Sequence, residues 1–554
     1  MSSSVATQPS LLRNPVLPGF SPDPSICRVG DDYYLATSTF EWFPGVALHH
    51  SRDLAHWRPV GHALTRRSQL DLRGVACSAG SWAPSLSHAD GKFWLIYTNV
   101  VTTGMGRPFK DPHVFLVTAE RIEGPWSEPV KLDSIGFDPS LFHDEDGRKW
   151  LCNMQWDFRP GRHRFAGIVA QEYDPAARRL VGPVHELLRK ENILCEGPNL
   201  YKRNGYYYLM LAEGGTGWNH GISMARARSL AGPYELDPEE AVLTTRHAPD
   251  HPLQKAGHGE LVQTPAGEWW LAHLCSRPLR TGAAANPGSP DKSASAAAHA
   301  GDRCVLGRET ALQRVVWTED GWLRLAGGGV LPALELAAPA GLARHPWPAP
   351  PVRTDFSSAA ALDPRWQSLR RPVDESWVSF SARPGWLRLA GGESPHSLHE
   401  QSLLARRLEK TRAVATTRVD FAPTRYTQFA GLVFWYDIRT NYALNVTHDE
   451  RQGRVVAVQS SDDFAYAEPP EARLPIDDWP SAVWLRAEIA DAELRFLASP
   501  DGRAWTQVGG VFDASKVSDD YGASLHFTGA MVGIACRDVA GQRAAADFEF
   551  FELR

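Results

Sequence analysis

The 554-residue sequence lacks the features that mark membrane proteins, nucleic-acid binders and disulfide-stabilised domains. No apolar run is long enough to cross a bilayer, and residues 1–13 contain no hydrophobic segment of the secretory type. No basic run or stripe occurs, and the net charge is -6, which argues against nucleic-acid binding. We therefore expect neither a membrane nor a nucleic acid as a partner.

Cysteine is scarce and follows no pattern. The seven cysteines are scattered, odd in number and without a Cys-x-x-Cys pair. Such usage is typical of reduced thiols, so we expect a cytoplasmic protein. Helical periodicity is also nearly absent, and short strand-like runs separated by turn residues take its place.

One short motif returns five times, each time before a turn and an aromatic strand-like run. The copies are Asp23-Pro24-Ser25, Ala83-Pro84-Ser85, Asp138-Pro139-Ser140, Glu196-Gly197-Pro198 and the degenerate Gly257-His258-Gly259. Their first residues are 60, 55, 58 and 61 positions apart. A strand-only unit repeated five times predicts a five-bladed β-propeller, which we place at residues 14–340.

The chain changes character after the repeats. A Pro-rich segment at 341–352 is the predicted linker, and residues 353–554 contain long alternating runs such as 482–498. These runs predict a β-sandwich accessory domain, so the whole chain is expected to be all-β. Within the last repeat, the Gly/Ala/Ser/Pro-rich insertion at 281–303 is predicted to be a mobile loop.

Three of the five motif copies begin with a carboxylate: Asp23, Asp138 and Glu196, whereas the other two begin with Ala83 and Gly257. Equivalent positions of propeller blades face one axis, so the three acids should converge. Like charges in one cleft raise at least one pKa, and glycoside hydrolysis needs a protonated acid opposite an ionised one. An Asp before Pro is often only a turn residue, but a structural role would not require acids in just three repeats.

The sequence resembles the β-xylosidases of glycoside hydrolase family 43 over nearly its whole length. The similar segments are 14–26, 38–45, 82–84, 136–142, 153–157, 164–168, 196–198, 256–259 and 307–310, followed in the sandwich by 519–521 and 527–530. The resemblance implies an inverting exo-glycosidase that releases D-xylose from non-reducing ends of β-1,4-xylo-oligosaccharides. It makes Asp23 the general base and Glu196 the general acid, with an ionised Asp138 holding Glu196 and raising its pKa.

The resemblance also implies residues that bind substrate: Phe40, Trp82, Arg277 and Phe527. Arg280 competes with Arg277 for its role, and ordinary packing remains an alternative for the aromatic residues. No cofactor is required, although relatives suggest a possible divalent cation near His258 at the propeller axis. A single histidine is not a metal site by spacing, and a buried, satisfied histidine is the alternative. Relatives further imply a homo-oligomer, either a dimer or a tetramer.

Three other functions stay open. An α-L-arabinofuranosidase, or an enzyme with both activities, would use the same acid pair; Asn199 and 78–81 depart from the family pattern and leave the preferred sugar open. A carbohydrate-binding protein without turnover would need hydrogen bonds but no proton donor. A propeller used for protein recognition would need an exposed apolar face.

Overall fold

The computed structural model describes residues 11–102, 108–282, 294–357, 362–522 and 526–554. These residues form two β domains. Their helices are Ala294–Ala298 and the 3-10 turns Pro470–Ala472 and Ala514–Lys516. No helix in the described ranges is long and apolar enough to cross a membrane. The predicted five-bladed propeller followed by a sandwich is confirmed.

The propeller consists of five antiparallel sheets, called blades 1 to 5, with their strands in chain order. Blade 1 contains Ser25–Val29, Asp32–Thr37, Gly45–Ser51 and Arg58–Leu64. Blade 2 contains Gly80–Ala89, Lys92–Val100, Pro112–Ala119 and Val130–Asp133, and blade 3 contains Gly136–His143, Lys149–Trp156, Phe165–Asp174 and Arg179–Leu188. Blade 4 contains Cys195–Arg203, Tyr206–Glu213, Gly221–Ala227, Glu235–Leu236 and Leu243–Thr244. Blade 5 contains Gln254–Gln263, Trp269–Ser276, Glu309–Trp317 and Leu323–Leu325.

The five blades close into a ring. The first strand of each blade contacts the first strand of the next, and those of blades 5 and 1 also meet. Near the chain start, Leu11–Arg13 pairs with Glu335–Ala337, and Leu17 bridges Thr310 of blade 5. The first strands therefore line the axis, as the repeat predicted.

The repeated motif is a β-bulge on the first strand. In blades 2 to 5 the pairing with the second strand shifts register at the motif. A residue with positive φ marks the bulge in every blade: Asp23 (53°), Ala83 (27°), Asp138 (54°), Gly197 (55°) and His258 (39°). A bulge redirects side chains, so residues at the bulge are the equivalent ones in different blades. The structure therefore aligns Gly197 and His258 with Asp23. The sequence analysis had aligned Glu196 and Gly257 with Asp23, one residue too early in both blades.

Packing explains the shift in blade 4. A Cβ at Gly197 would lie 2.9 Å from His258 Nε2 and 3.1 Å from Ala212 Cβ. The left-handed φ adds a second cost for any residue with a side chain. The acid of blade 4 therefore sits one residue earlier, at Glu196.

The sandwich packs two nine-stranded sheets around an apolar core. One sheet contains Arg353–Asp355, Val378–Ser379, Leu387–Ala390, Arg412–Asp420, Ala482–Ala490, Glu493–Ser499, Thr506–Gln507, Phe512–Asp513 and Ala545–Leu553. The other contains Gln367–Leu369, Ser402–Arg407, Gln428–Trp435, Asn441–Asp449, Gly453–Asp462, Ala465–Ala467, Arg473–Pro475 and Met531–Asp538, with Trp42–Phe43 of the propeller at its edge. Residues along Ala482–Ala490 alternate between buried and half-buried, as the sequence pattern predicted. Because a propeller strand completes this sheet, the domains share backbone hydrogen bonds.

The insertion predicted at 281–303 lies partly outside the described residues. Its described part is not simply a loop, because it contains Ala294–Ala298 and the strand Asp302–Arg303, which pairs with Leu279–Arg280. The His299 ring is buried and stacks on Trp218 at a centroid distance of 3.9 Å. One aromatic contact thus gives this Ala-rich segment an anchor that composition does not reveal.

Candidate active site

All five blades contribute to a cavity of 680 Å³ on the propeller axis. Asp23, Asp138 and Glu196 line it, together with Trp82 of blade 2 and His258 of blade 5. The three acids are each at most 9% exposed. The structure therefore brings together the carboxylates that the repeat singled out.

Asp23 is held by two donors on different oxygens. Ser38 Oγ donates to Oδ2 at 2.6 Å, and Arg308 Nη1 donates to Oδ1 at 2.9 Å. His258 Nδ1 lies 3.6 Å from Oδ1. This carboxylate is therefore fixed in orientation beside a permanent cation, and charge-assisted hydrogen bonds of this kind are strong.

Glu196 has a different environment. Burial raises its pKa to about 7, and the charge of Asp23 adds to the effect, while Arg308 and Lys110 oppose it. Glu196 can therefore keep a proton near neutral pH, as a general acid requires.

Asp138 also favours its neutral form. Burial, followed by repulsion from Glu196 and Asp23, raises the pKa of Asp138 well above its usual value. The sequence analysis expected an ionised Asp138 to raise the pKa of Glu196. In the structure, burial and the charge of Asp23 raise it instead. Repulsion from Glu196 and Asp23 thus adds to burial in favouring a protonated Asp138.

Arg308 is the cavity arginine that contacts Asp23, and the sequence argument did not assign it a role. Its side chain is buried; Nη1 also donates to Thr216 Oγ1 at 2.8 Å, and Nη2 donates to the Phe527 carbonyl at 3.0 Å. Arg308 thus connects the proposed base, a loop of blade 4 and the sandwich. It lies in the segment 307–310, which had been noted only for its resemblance.

Arg277, the expected substrate-binding arginine, lies outside this cavity. Its Nε and Nη2 donate to the two carboxylate oxygens of Glu309, both at 2.7 Å. Glu309 is completely buried and needs a counter-charge. Arg280 is likewise paired, with Asp302 at 2.6 Å. The expectation for Arg277 is thus corrected by its ion pair, and Arg308 faces the acids instead.

Phe40, Trp82 and Phe527 line the cavity as expected from the resemblance. The ring centroids of Phe40 and Trp82 each lie within 6.0 Å of that of Phe527. Phe527 comes from the sandwich, and its backbone N–H donates to Ser78 Oγ at 3.1 Å. The same rings pack into the apolar core, so packing and cavity lining occur together.

A basic residue, Lys110, also lines the cavity and interacts electrostatically with Glu196 and Asp138. Lys110 Nζ lies 4.8 Å from the ring centroid of Trp156, 5.2 Å from that of Trp82 and 5.9 Å from that of Phe137. Burial lowers the pKa of Lys110 to about 8, against the attraction of Glu196. Neither Lys110 nor Trp156 was singled out individually from the sequence, because no repeat or motif spacing marks them.

His258 was the candidate metal ligand. Burial lowers its pKa, and its nearest acid, Asp23, already accepts from Arg308. Across the described ranges, no group of three or more His, Cys, Asp or Glu side chains could share a metal ion. A divalent cation would thus meet two protein ligands and a neighbouring guanidinium, which is a poor fit.

Family models match both domains. One, described as glycosyl hydrolases family 43, matches residues 12–323. The chain belongs to this family. A second model, described as the β-xylosidase C-terminal concanavalin A-like domain, matches residues 353–554 of this family 43 chain.

Relatives match this family 43 chain over nearly its whole length. A xylan 1,3-β-xylosidase of a Vibrio species is 42% identical over 98% of each chain. The xylosidase/arabinosidase 43B of Humicola insolens is 44% identical over 98% of this chain and 97% of its own. The crystal structure of a xylan β-1,4-xylosidase from Bacillus halodurans C-125 superposes with a TM-score of 0.92, at 48% identity over 98% of this chain and 100% of that one.

Proposed function

We propose that this protein is an inverting exo-β-xylosidase that releases D-xylose from the non-reducing ends of β-1,4-xylo-oligosaccharides. The main support is the contrast between two acids in one cavity: Asp23, beside Arg308, and Glu196, whose pKa burial raises to about 7. Inverting hydrolysis needs such a pair of a base and an acid.

In the proposed reaction, Asp23 removes a proton from a water molecule as its oxygen attacks the anomeric carbon. At the same time Glu196 gives its proton to the glycosidic oxygen, so the bond between that oxygen and the anomeric carbon breaks. The products are α-xylose and the shortened oligosaccharide. Exchange with solvent then deprotonates Asp23 and reprotonates Glu196. Asp138, whose raised pKa favours its protonated form, acts as a positioning residue for Glu196.

The walls of the cavity support exo action. Phe527 of the sandwich lies against Phe40 and Trp82 of the propeller. A sugar ring that stacks on these aromatic faces meets the sandwich at one end, so the chain end enters and the rest of the substrate extends outwards. Arg308, rather than Arg277, is the arginine beside Asp23 that can bond the sugar hydroxyls.

The second candidate is an α-L-arabinofuranosidase or an enzyme with both activities. The name of the Humicola relative carries both activities, and the same acid pair would serve either sugar. The ratio of kcat/KM for 4-nitrophenyl β-D-xyloside to that for 4-nitrophenyl α-L-arabinofuranoside distinguishes them. We expect the xyloside to be preferred.

Proton NMR of xylobiose during the first turnovers tests the proposal. Appearance of the α-xylose signal before mutarotation is the expected result. If β-xylose appears first, the roles of Asp23 and Glu196 are wrong; if xylobiose stays intact while the arabinofuranoside is cleaved, the second candidate replaces the first.

We further propose that hydrolysis requires no cofactor, since the acids supply both proton transfers. A cytoplasmic location is supported by seven cysteines that are all unpaired. A homo-oligomer remains a prediction from the resemblance, and sedimentation velocity measures it directly.

A further inference from the structure

The peptide unit between Phe527 and Thr528 is hydrogen-bonded on both sides. Its carbonyl oxygen accepts from Arg308 Nη2 at 3.0 Å, and its N–H donates to the hydroxyl oxygen of Tyr436 at 3.2 Å. The ring of Phe527 lines the active-site cavity, whereas Tyr436 lies in the core of the sandwich. A side chain outside the cavity is therefore connected to the cavity arginine through a single backbone peptide.

Two further hydrogen bonds extend this connection at its ends. The hydroxyl of Tyr436 donates to Asp519 Oδ1 at 2.6 Å, and Arg308 Nη1 donates to Asp23 Oδ1 at 2.9 Å. A continuous hydrogen-bonded chain thus joins Asp519 of the sandwich to Asp23 of the propeller. From Arg308 to Asp519 every donor points in the same direction, so the bonds polarise and strengthen one another.

Asp519 is held in place by its neighbour in the sequence. Asp520 accepts hydrogen bonds from two propeller groups, Lys255 Nζ at 2.6 Å and the Cys304 N–H at 2.9 Å. Burial raises the pKa of Asp519 to about 7, although the charge of Lys255 opposes the rise. Both the neutral and the ionised carboxyl keep an oxygen that can accept from Tyr436.

Tyr436 itself is fixed by packing. It is 1% exposed, and its ring meets that of His526 edge-on at a centroid distance of 5.3 Å. His526 in turn contacts Arg439, with 2.6 Å between Nδ1 and Nη2. The hydroxyl of Tyr436 therefore stays between its two hydrogen-bond partners.

We propose that Tyr436 is a positioning residue for Arg308 and, through Arg308, for Asp23. The inference rests on the proposed function, in which Asp23 is the base. Without the Tyr436 hydroxyl, the 527–528 peptide loses the contact that fixes its N–H, and its carbonyl holds Arg308 Nη2 less firmly. Arg308 then orients the carboxylate of Asp23 less well. Attack by a bound water depends on such orientation.

The substitution Tyr436→Phe tests the proposal, because it removes the hydroxyl and leaves the ring. In the full chain we expect kcat/KM for xylobiose to fall about tenfold. The fall should be similar for 2,4-dinitrophenyl β-xyloside, since the base acts on water whatever the leaving group is. A fall confined to xylobiose would place the effect on the general acid and overturn the proposal.

Tyr442→Phe is the matched control in the same domain. The hydroxyl of Tyr442 donates to the Asp513 carbonyl at 3.0 Å, away from the 527–528 peptide. Each variant loses hydrogen bonding of a tyrosine hydroxyl, so both should lower Tm by about 2 °C. Tyr442→Phe should nevertheless change kcat/KM by less than about twofold.

A double-mutant cycle tests whether Tyr436 acts through Arg308. In an Arg308→Met background, Tyr436→Phe should lower kcat/KM for the aryl xyloside by less than about twofold. In a Phe527→Ala background the fall should stay near tenfold, because that substitution leaves the peptide carbonyl in place. A tenfold fall in the Arg308→Met background overturns the proposal.

Asp519 provides a second test that spares the tyrosine. Asp519→Asn keeps an acceptor oxygen and should lower kcat/KM less than Asp519→Leu, which leaves the Tyr436 hydroxyl without this acceptor. Equal losses in the two variants would contradict the proposed chain. The proposed function fails if the unaltered protein does not release α-xylose from xylobiose. If it does, and Tyr436→Phe behaves like Tyr442→Phe, only the positioning role of Tyr436 is wrong.

Discussion

Asp23 and Glu196 lie in one cavity at nearly equivalent places in blades 1 and 4, yet their surroundings are opposite. Asp23 accepts hydrogen bonds from Ser38 and Arg308. No donor among the described residues reaches the Glu196 carboxyl, and burial raises the pKa of Glu196 to about 7. The blade repeat thus supplies the position of each acid, whereas its neighbours decide whether it acts as a base or as an acid.

The largest expected effect is that of removing the base. Asp23→Asn should lower kcat/KM for xylobiose about 10⁴-fold, because no group then activates the water. An aryl xyloside with a good leaving group should suffer a similar loss, since water attack is still needed. The buried acid Asp53, which lies outside the cavity and pairs with His56, provides the control: Asp53→Asn should retain near-normal kcat/KM.

Removing the acid should give a different signature. Glu196→Gln should lower kcat/KM for xylobiose about 10³-fold, but by less than about tenfold for 2,4-dinitrophenyl β-xyloside, whose leaving group needs no proton. Calorimetry should show xylobiose binding nearly unchanged. Burial also raises the pKa of Glu260 to about 7, but Glu260 lies outside this cavity, so Glu260→Gln should show no leaving-group dependence. If Glu196→Gln lowers kcat/KM equally for xylobiose and for 2,4-dinitrophenyl β-xyloside, Glu196 is not the general acid.

The sequence predicted the architecture and the acids because both follow from local pattern. The strand repeat and turn residues fixed five blades, and Asp23, Asp138 and Glu196 stood at repeated positions. The one-residue shift at Glu196 was not predictable, because it results from the approach of His258 to Gly197, 61 positions apart in sequence.

The cations of the site escaped the sequence argument for a related reason. Arg308 and Asp23 are 285 residues apart, and neither spacing nor repeat connects them. Arg277 seemed equally suitable until the buried Glu309 was seen to hold it. Lys110 likewise becomes a candidate site residue only in the folded chain, where its Nζ lies near the rings of Trp82, Phe137 and Trp156 from other strands. Pairing of distant charges is a property of the folded chain.

Arg308 contributes to the difference between Asp23 and Glu196, because it donates a hydrogen bond to Asp23 but not to Glu196. Arg308→Met should lower kcat/KM for xylobiose about 100-fold, by removing a charge-assisted donor to Asp23 and a wall of the cavity. Arg277→Met is the matched control: it should lower Tm, since Glu309 loses its partner, but change kcat/KM by less than about threefold. A larger loss of kcat/KM in Arg277→Met than in Arg308→Met would show that Arg277 is the substrate-binding arginine.

The pH profile tests the proton on Glu196 directly. The pKa of this carboxyl is raised to about 7, and the protonated form is the active one. For xylobiose, kcat/KM should therefore fall with rising pH above about 7, by about tenfold for each pH unit. With xylobiose as substrate, the residual activity of Glu196→Gln should lack this alkaline limb. A limb that persists in the variant would assign the titration to another group, with Lys110 the first candidate.

The smallest predicted effect concerns the wall that the sandwich adds to the propeller. Phe527 lies within 6.0 Å of Phe40 and Trp82, centroid to centroid, so Phe527→Ala removes a stacking face without touching either acid. KM for xylobiose should rise about tenfold, in keeping with the loss of one aromatic contact, while the pH limb of kcat/KM stays in place. Phe464→Ala, at a half-exposed position on the same domain, should leave KM unchanged. If Phe527→Ala instead shifts the pH at which kcat/KM falls, the sandwich influences the pKa of the acids as well as enclosing the sugar. The neighbours that decide whether each acid acts as a base or as an acid would then include a residue of the second domain.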